Sequence, residues 1–228
     1  MKITTLIPTF NRDDLLWLTL CSYKNQELIE QCEVIVLDEG ATNKTKELCS
    51  QFSFVKYLAT GRDGRYWRCP SFAYNIGAKR ALGDVLLLTS PEILNLDPFC
   101  IKEAVLPVLA NEMVGTYPIG KYDKDGIFLD RYKQGIHSSS LFDSLPDLNN
   151  HANGQPLHFF QAVSKKLFLD IGGYDEDFIG LAYDDNDLTD RLFNAGSSFE
   201  KTKARVVHLW HSYFRNYHAS KLCRTLIS

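Results

Sequence analysis

Along the first half of the chain, short apolar runs alternate with longer stretches that are apolar on one side only. The runs are Ile3 to Ile7, Val34 to Leu37, Phe54 to Leu58 and Val85 to Leu88. Each is too short for a helix and is bounded by turn residues, so each reads as a strand, the purest of them buried on both faces. Between them, Asn11 to Tyr23, Lys44 to Gln51 and Phe72 to Leu82 repeat with helical spacing. Asp13 and Asp14 suit a first helical turn, and Gly83 reads as a helix stop. Strands alternating with helices predict an α/β fold with a parallel sheet covered by helices on both faces. In such sheets ligands bind beyond the carboxyl ends of the strands. Those ends carry Pro8, Phe10, Asp38, Glu39 and Ser90 to Glu92.

The second half is less regular. Its spacing predicts a helix near Phe99 to Leu109, a strand at Met113 to Tyr117, and a hairpin over Gly120 to Asp130 turning at Lys124-Asp125-Gly126. Tyr132 to Gln155 shows little periodicity, and a loop of that length is commonly functional or disordered. A strand at Leu157 to Val163, a short helix at Lys165 to Ile171, a strand at Ser198 to His208 and a basic tail helix come next. No repeat or low-complexity tract divides the chain. We expect one domain over 1–228, with a nucleotide-binding half at 1–95, an acceptor half at 96–212 and a tail helix at 213–228.

Composition narrows the class. With 228 residues, 45% hydrophobic and 23% charged, the chain is ordinary globular material. A net charge of -3 argues against a nucleic-acid surface. The six cysteines are scattered without a C-x-x-C pair, which signals neither a zinc site nor a disulfide framework and suits free thiols in a reducing compartment. The opening run has no secretory h-region, and no apolar run reaches membrane-span length. These features predict a soluble cytoplasmic protein, with room for peripheral membrane contact.

The densest chemistry lies in Gly172 to Arg191, where carboxylates are interleaved with Tyr174, Phe178, Leu181 and Tyr183. Asp175-x-Asp177-x-x-Gly180 begins like a calcium loop, but Ile179 and Asn186 stand where ligands belong. Asp184 suits an N-cap with Asp187 completing a capping box, and Asp187 to Arg191 is an i,i+4 ion pair. Asp185 is left over: helical spacing turns it toward the side of Leu188 and Leu192. Elsewhere, Asp38 either shapes an Asx-type turn or meets a ligand. Asn75 and Gly77 are poor helix formers inside a helix, which suits close packing at Gly77 and a side-chain hydrogen bond from Asn75. Glu92 is a lone carboxylate at a strand end. His208 and His211 would face opposite sides of a continuing strand, which makes His208 alone the candidate ligand.

The order of motifs resembles the GT-A-fold glycosyltransferases of family 2, with acceptor-side motifs similar to galactosyl- and N-acetylgalactosaminyl-transferases. Ile7-Pro8-Thr9-Phe10-Asn11-Arg12, Leu37-Asp38-Glu39-Gly40-Ala41-Thr42, Asn75-Ile76-Gly77 with Ala81-x-Gly83-Asp84, Gly172-Gly173-Tyr174-Asp175-Glu176, Tyr183 to Leu188 and His208-Leu209-Trp210-His211 carry it, over residues 3 to 211. The resemblance implies a Rossmann-like nucleotide-binding sheet joined by a smaller acceptor-side sheet. It implies a nucleotide-diphosphate sugar donor, with a UDP-sugar favoured, and hexosyl or N-acetylhexosaminyl transfer with inversion to a glycan or lipid-linked acceptor, as in polysaccharide biosynthesis. Pro8, Phe10, Asp38, Glu39, Asn75 and Arg68 would hold the donor. Asp185 would be the general base, and Tyr183, Asp184 and Asp175 would meet the acceptor. Mn2+ or Mg2+ would sit on Glu92 and His208.

One departure matters. The family's Asp-x-Asp falls on Ser90-Pro91-Glu92, so only its second carboxylate is present. Arg62, Arg65 or Arg68 could then carry part of the charge of the diphosphate. The same change motivates the alternative of a catalytically silent module that binds nucleotide sugars or glycans. A nucleotidyltransferase would need a glycine-rich loop after the first strand, which Pro8-Thr9-Phe10-Asn11 is not.

Overall fold

The computed structural model describes residues 2–61, 69–136, 139–148, 159–178 and 183–211. Four parallel strands form its first half: β1 (Ile3–Thr9), β2 (Cys32–Asp38), β3 (Val55–Ala59) and β4 (Val85–Thr89). Three helices connect them, α1 (Asp13–Tyr23), α2 (Asn43–Cys49) and α3 (Ser71–Arg80). A short β5 (Ile93–Asn95) and the helix α4 (Cys100–Ala110) lead into β6 (Val114–Tyr122). Helices α5 (Ile127–Lys133) and α6 (Ser139–Ser144) precede β7 (Phe160–Ser164). The described chain ends with α7 (Lys165–Asp170), α8 (Asp184–Asn194) and β8 (Ser198–His208).

One eight-stranded sheet runs in the order β3-β2-β1-β4-β7-β6-β8-β5. The strands of the second half join the edge of β4 through antiparallel β7, so the smaller sheet is continuous with the larger one. Strand alternation explains the two covered faces. Ile3, Ile7, Val34, Val36, Val85 and Leu87 face a core containing Leu16 and Leu20 of α1 and Ile101 and Val105 of α4. Leu6, Ile35, Leu37, Leu86 and Leu88 face the opposite core, with Ala73 and Ala78 of α3, Phe168 of α7, and Leu188 and Leu192 of α8. A strand feeding both cores cannot carry solvent-facing polar positions, which is why these runs read as unbroken apolar stretches.

From β1 the chain steps one way to β2 and β3, and β4 lies on β1's other side. In open α/β sheets such a reversal leaves a crevice at the carboxyl ends of the strands, here those of β1 and β4, the expected place for a ligand.

Several local expectations change. Gly120 to Asp130 is not a hairpin: β6 ends at Tyr122 and the turn enters α5. The buried Asp123 carboxylate accepts the backbone N–H groups of Gly126, Phe128 and Leu129, so it satisfies a helix start and no returning strand forms. Part of the long aperiodic stretch is the helix α6. Gly83 does not stop α3 by adopting a left-handed conformation. A Cβ there would lie 2.5 Å from the backbone nitrogen of Thr4, so glycine is demanded by contact with β1. Gly77 is also a packing glycine, its Cβ position 2.8 Å from Leu37 and 2.9 Å from Leu6. Asp184 is not an N-cap: Tyr183 takes that position, and Asp184 is the first residue of α8. Among the described residues no helix is long and apolar enough to cross a membrane. The expected tail helix lies outside them, as does Arg68.

Candidate active site

The crevice begins where β1 and β2 end. Both strands leave through backbone conformations rare for residues with side chains, Asn11 at φ 53° and Ala41 at φ 50°. Such residues cluster at sites where the surrounding structure holds the chain in place. Asp38 is fully buried. Its Oδ1 accepts from Gly40 N (2.9 Å), and its Oδ2 accepts from Thr42 N (2.9 Å) and Tyr57 Oη (3.0 Å). A carboxylate offers about four lone-pair directions. Asp38 therefore shapes the turn first and keeps about one direction for a ligand. Phe10 and Glu39 are buried beside it, and Glu39 N donates to Thr9 O, tying the two strand ends together.

Beyond β4, Glu92 meets the end of β8. Asp123 N donates to His208 O, and Leu209 N donates to Glu92 O (2.9 Å), so backbone bonds hold the two segments together. After His208 the chain leaves the strand. His211 is therefore not carried to the opposite face but folds back: the His208 and His211 rings lie 5.2 Å apart, and both Nε2 atoms approach Glu92 Oε1, at 3.7 and 3.6 Å. This differs from the expectation that the two histidines face opposite sides of a continuing strand. Glu92, His208 and His211 each present a ligand atom within 4.8 Å of the others.

Burial pushes the Glu92 carboxyl up to about 7, opposed by the Arg12 guanidinium. Burial, helped by His211, pushes His208 down to about 3. Glu92 Oε2 and His208 Nδ1 are buried without a hydrogen-bond partner. A neutral imidazole and a desolvated carboxyl with such orphaned atoms, beside a second imidazole, fit a divalent cation, whose charge would favour the ionised Glu92. The two histidine nitrogens already approach one carboxylate oxygen, so a single cation drawn between them would be held by Glu92, His208 and His211.

The third part of the site is the start of α8. Tyr174 Oη donates to Asp185 Oδ1 (3.1 Å). Tyr174 stacks on Tyr74 at 5.0 Å, and Tyr74 Oη donates to Thr89 O at the end of β4 (2.8 Å). Two tyrosines thus tie Asp185 to the strand that leads to Glu92. The carboxyl of Asp185 is raised well above the usual carboxylate range, first by burial and then by the charge of Asp184, while the Tyr174 hydrogen bond opposes the shift. A half-buried carboxyl with a raised pKa at a helix start suits proton transfer.

Other expected residues separate from this group. Asn75 bonds within the protein: its Oδ1 accepts from Tyr174 N (2.9 Å), and its Nδ2 donates to Tyr174 O (2.8 Å) and Glu176 Oε1 (2.8 Å). Its amide is committed to clamping the turn before α8. Asp184 is buried and accepts from Cys69 Sγ at 2.7 Å, so it is turned inward rather than toward an acceptor. Tyr183, at φ 80° and exposed, stands in front of α8, and Asp175 is exposed with Oδ1 accepting from Asp177 N. Pro8 is buried within β1.

Sequence reasoning missed Cys69, Tyr74, Arg12 and the second role of Arg191. Beyond its ion pair with Asp187, Arg191 donates to Ile171 O (3.0 Å) and Gly173 O (2.6 Å), bracing the Gly172-Gly173 turn. No local pattern signals such long-range partners.

Known proteins give this geometry a family. Residues 4–224 match the family described as glycosyltransferase like family 2. Over 90% of its length the chain is 24% identical to chondroitin synthase of Escherichia coli, of which it spans 34%. It thus covers about a third of that curated relative. Among solved structures, a mannosyltransferase from Pyrobaculum calidifontis, in complex with GDP-Man and Mn2+, superposes with a TM-score of 0.65 at 17% identity, over 98% of this chain and 60% of that one. The structure of GalNAc-T7 with UDP, GalNAc and Mn2+ gives 0.68 at 16% identity, over 92% of this chain and 44% of that one. These two likenesses establish the GT-A fold. With the family match spanning nearly all of its length, the chain belongs to glycosyltransferase-like family 2.

Proposed function

We propose that this chain transfers a hexosyl or N-acetylhexosaminyl group, with inversion, from a UDP-sugar to a hydroxyl of a glycan or lipid-linked acceptor, using Asp185 as general base. The observation that carries this reading is the link from Asp185 through Tyr174 and Tyr74 to the end of β4, which sets a desolvated carboxyl near the Glu92, His208 and His211 cluster. Burial raises the Tyr74 hydroxyl well above its ordinary value, and Asp185 and Glu92 raise it further.

A sugar hydroxyl becomes a competent nucleophile as its proton is removed, and a positioned carboxylate contributes roughly 10²–10⁴-fold to such a step. Asp185 would accept that proton while the hydroxyl attacks the anomeric carbon opposite the diphosphate. Glu92, His208 and His211 would hold Mn2+ or Mg2+, which supplies positive charge for the leaving diphosphate. Phe10 and Glu39, on the turn held by Asp38, would meet the nucleoside. Tyr183 and Asp175 would border the acceptor.

The silent-module reading rested on Ser90. It is weakened by the second histidine, because Glu92, His208 and His211 together offer the donor set that Ser90 cannot complete. The test is a panel of UDP- and GDP-sugars with and without Mn2+, read by melting temperature and by release of nucleotide. Metal-dependent stabilisation with turnover is expected for a UDP-sugar. Stabilisation without turnover across the panel would leave only the binding module.

A further inference from the structure

Buried side-chain atoms without a hydrogen-bond partner gather at one edge of the sheet. Thr9 at the end of β1, Thr60 after β3, Ser90 and Glu92 after β4, His208 at the end of β8 and Gln161 on β7 all carry one. Tyr23 and Asn95, between α1 and β5, lie elsewhere. Gln161 is the most demanding of the group. It is 0% exposed, and both its Nε2 and its Oε1 lack a partner. An amide left with neither donor nor acceptor satisfied is rare in a folded core and calls for a ligand or a trapped water.

Its position identifies the neighbourhood. Gln161 pairs with Leu88, one residue before Thr89, whose carbonyl accepts the Tyr74 hydroxyl. Strand alternation puts Gln161 on the same face as Val163, which packs with Leu88, Tyr74, Tyr174 and Leu188. Because β7 runs antiparallel to β4, its first residues lie at the crevice end. Two residues earlier, the ring of Phe159 packs edge-on against His208 at 5.0 Å. Gln161 therefore lies between the residues around the His208 cluster and those that hold Asp185, where the transferred sugar would rest.

We propose that Gln161 selects the sugar, its amide hydrogen-bonding a neutral donor–acceptor group of the transferred unit, adjacent hydroxyls or an acetamido group. The inference rests on the glycosyltransferase reading above. The Gln161 amide is neutral and offers a carboxylate no compensating charge, so a neutral sugar is expected over a uronic acid.

The test uses Gln161→Met, an apolar match in length, with Gln161→Leu as a second variant should the first fold poorly. UDP alone, UDP-glucose, UDP-galactose, UDP-GlcNAc, UDP-GalNAc and UDP-glucuronate are compared with Mn2+ present, by thermal shift and by kcat/KM for transfer or donor hydrolysis. The wild type should prefer a neutral sugar. Each variant should keep the shift produced by UDP alone, lose roughly 10- to 100-fold in kcat/KM for the preferred sugar, and melt no lower than wild type without ligand, since it removes an unpartnered amide. A preference for glucuronate, or unchanged sugar preference in the variants, would overturn the proposal. So would equal loss of the UDP shift, or a lower melting temperature without ligand, because either assigns Gln161 to packing or to a structural water. Failure of wild type with every UDP-sugar would instead strike the glycosyltransferase reading, and is told apart because it appears before any substitution.

Discussion

The Tyr174 hydroxyl donates to Asp185 Oδ1 at 3.1 Å, and this bond is the chief restraint acting against the rise in that carboxyl's pKa. It favours the ionised form, whereas burial and Asp184 favour the protonated one. Removing the hydroxyl in Tyr174→Phe should therefore raise the Asp185 pKa further. For a group that must be deprotonated to act, the acidic limb of kcat/KM against pH should move to higher pH. Asp185→Asn should retain the thermal shift from UDP-sugar and Mn2+ while losing about 10²–10⁴-fold in kcat. Turnover close to wild type by that variant would remove Asp185 from the mechanism.

The cluster of Glu92, His208 and His211 predicts how stability depends on pH. Glu92 in the folded protein titrates at about 7, above its ordinary value of 4.5. Its contribution is fully present below about 4.5 and is lost as pH rises through about 7. At roughly 1.4 kcal/mol per pKa unit, that loss is about 3 kcal/mol by about pH 8. Metal-free Glu92→Gln should accordingly be more stable than wild type at about pH 8 and little different at about pH 4.5, measured by urea unfolding. His208 runs the other way: its pKa is lowered to about 3, so its contribution is present above about 6.5 and fades as pH falls.

If Glu92, His208 and His211 hold Mn2+ as proposed, the metal should raise the wild-type melting temperature with increasing concentration. Glu92→Gln, His208→Ala and His211→Ala should each abolish most of that shift. The His211 result separates the folded-back arrangement from a site built on Glu92 and His208 alone. If His211→Ala binds Mn2+ as wild type does, the third ligand is wrongly assigned.

Asn75 and Gly173 form a paired contact that should be intolerant of change. Asn75→Ala removes three hydrogen bonds and leaves the buried backbone groups of Tyr174 without them. A loss of about 2–4 kcal/mol in unfolding free energy is expected. Gly173→Ala should be similarly harmful: φ is 73°, and the new Cβ would lie only 2.3 Å from Asn75 Oδ1. Both variants loosen the turn carrying Tyr174, so kcat should fall in the protein that remains folded.

Gly83→Ala tests a different kind of constraint. A methyl group would meet the Thr4 backbone nitrogen at 2.5 Å and the Ile3 carbonyl carbon at 2.7 Å, and would disturb the Gly83 N to Thr4 Oγ1 hydrogen bond of 2.9 Å. Backbone cannot yield as a side chain does, so a loss of at least about 2 kcal/mol is expected. If the glycine served only as a helix stop, the same substitution would be nearly neutral.

The parallel half of the fold was readable because each strand feeds two cores. Val34, Ile35, Val36 and Leu37 must all be apolar when alternate residues enter opposite layers, and so short an apolar run fits a doubly covered strand better than a helix. The place of Asp185 in the first turn of α8 was also legible, since helix geometry relates it to Leu188 and Leu192 without help from distant residues. The hairpin expected at Gly126 was wrong because a turn signal marks the bend but not the element beyond it. There, the buried Asp123 carboxylate directs the chain into a helix.

The sequence alone therefore determined the alternating strands, the crevice edge and the place of Asp185 at the start of α8, all of which come from local periodicity. Tertiary structure decided which polar groups are already satisfied. Asn75 and Asp184 carry the same chemistry as free ligands would, but partners 99 and 115 residues away in sequence occupy them. It also brought His211 back beside His208 and Glu92 and left Gln161 buried without a partner. Hydrogen-bond satisfaction and desolvation depend on the atoms that surround a group in space, and residues far apart along the chain supply those surroundings.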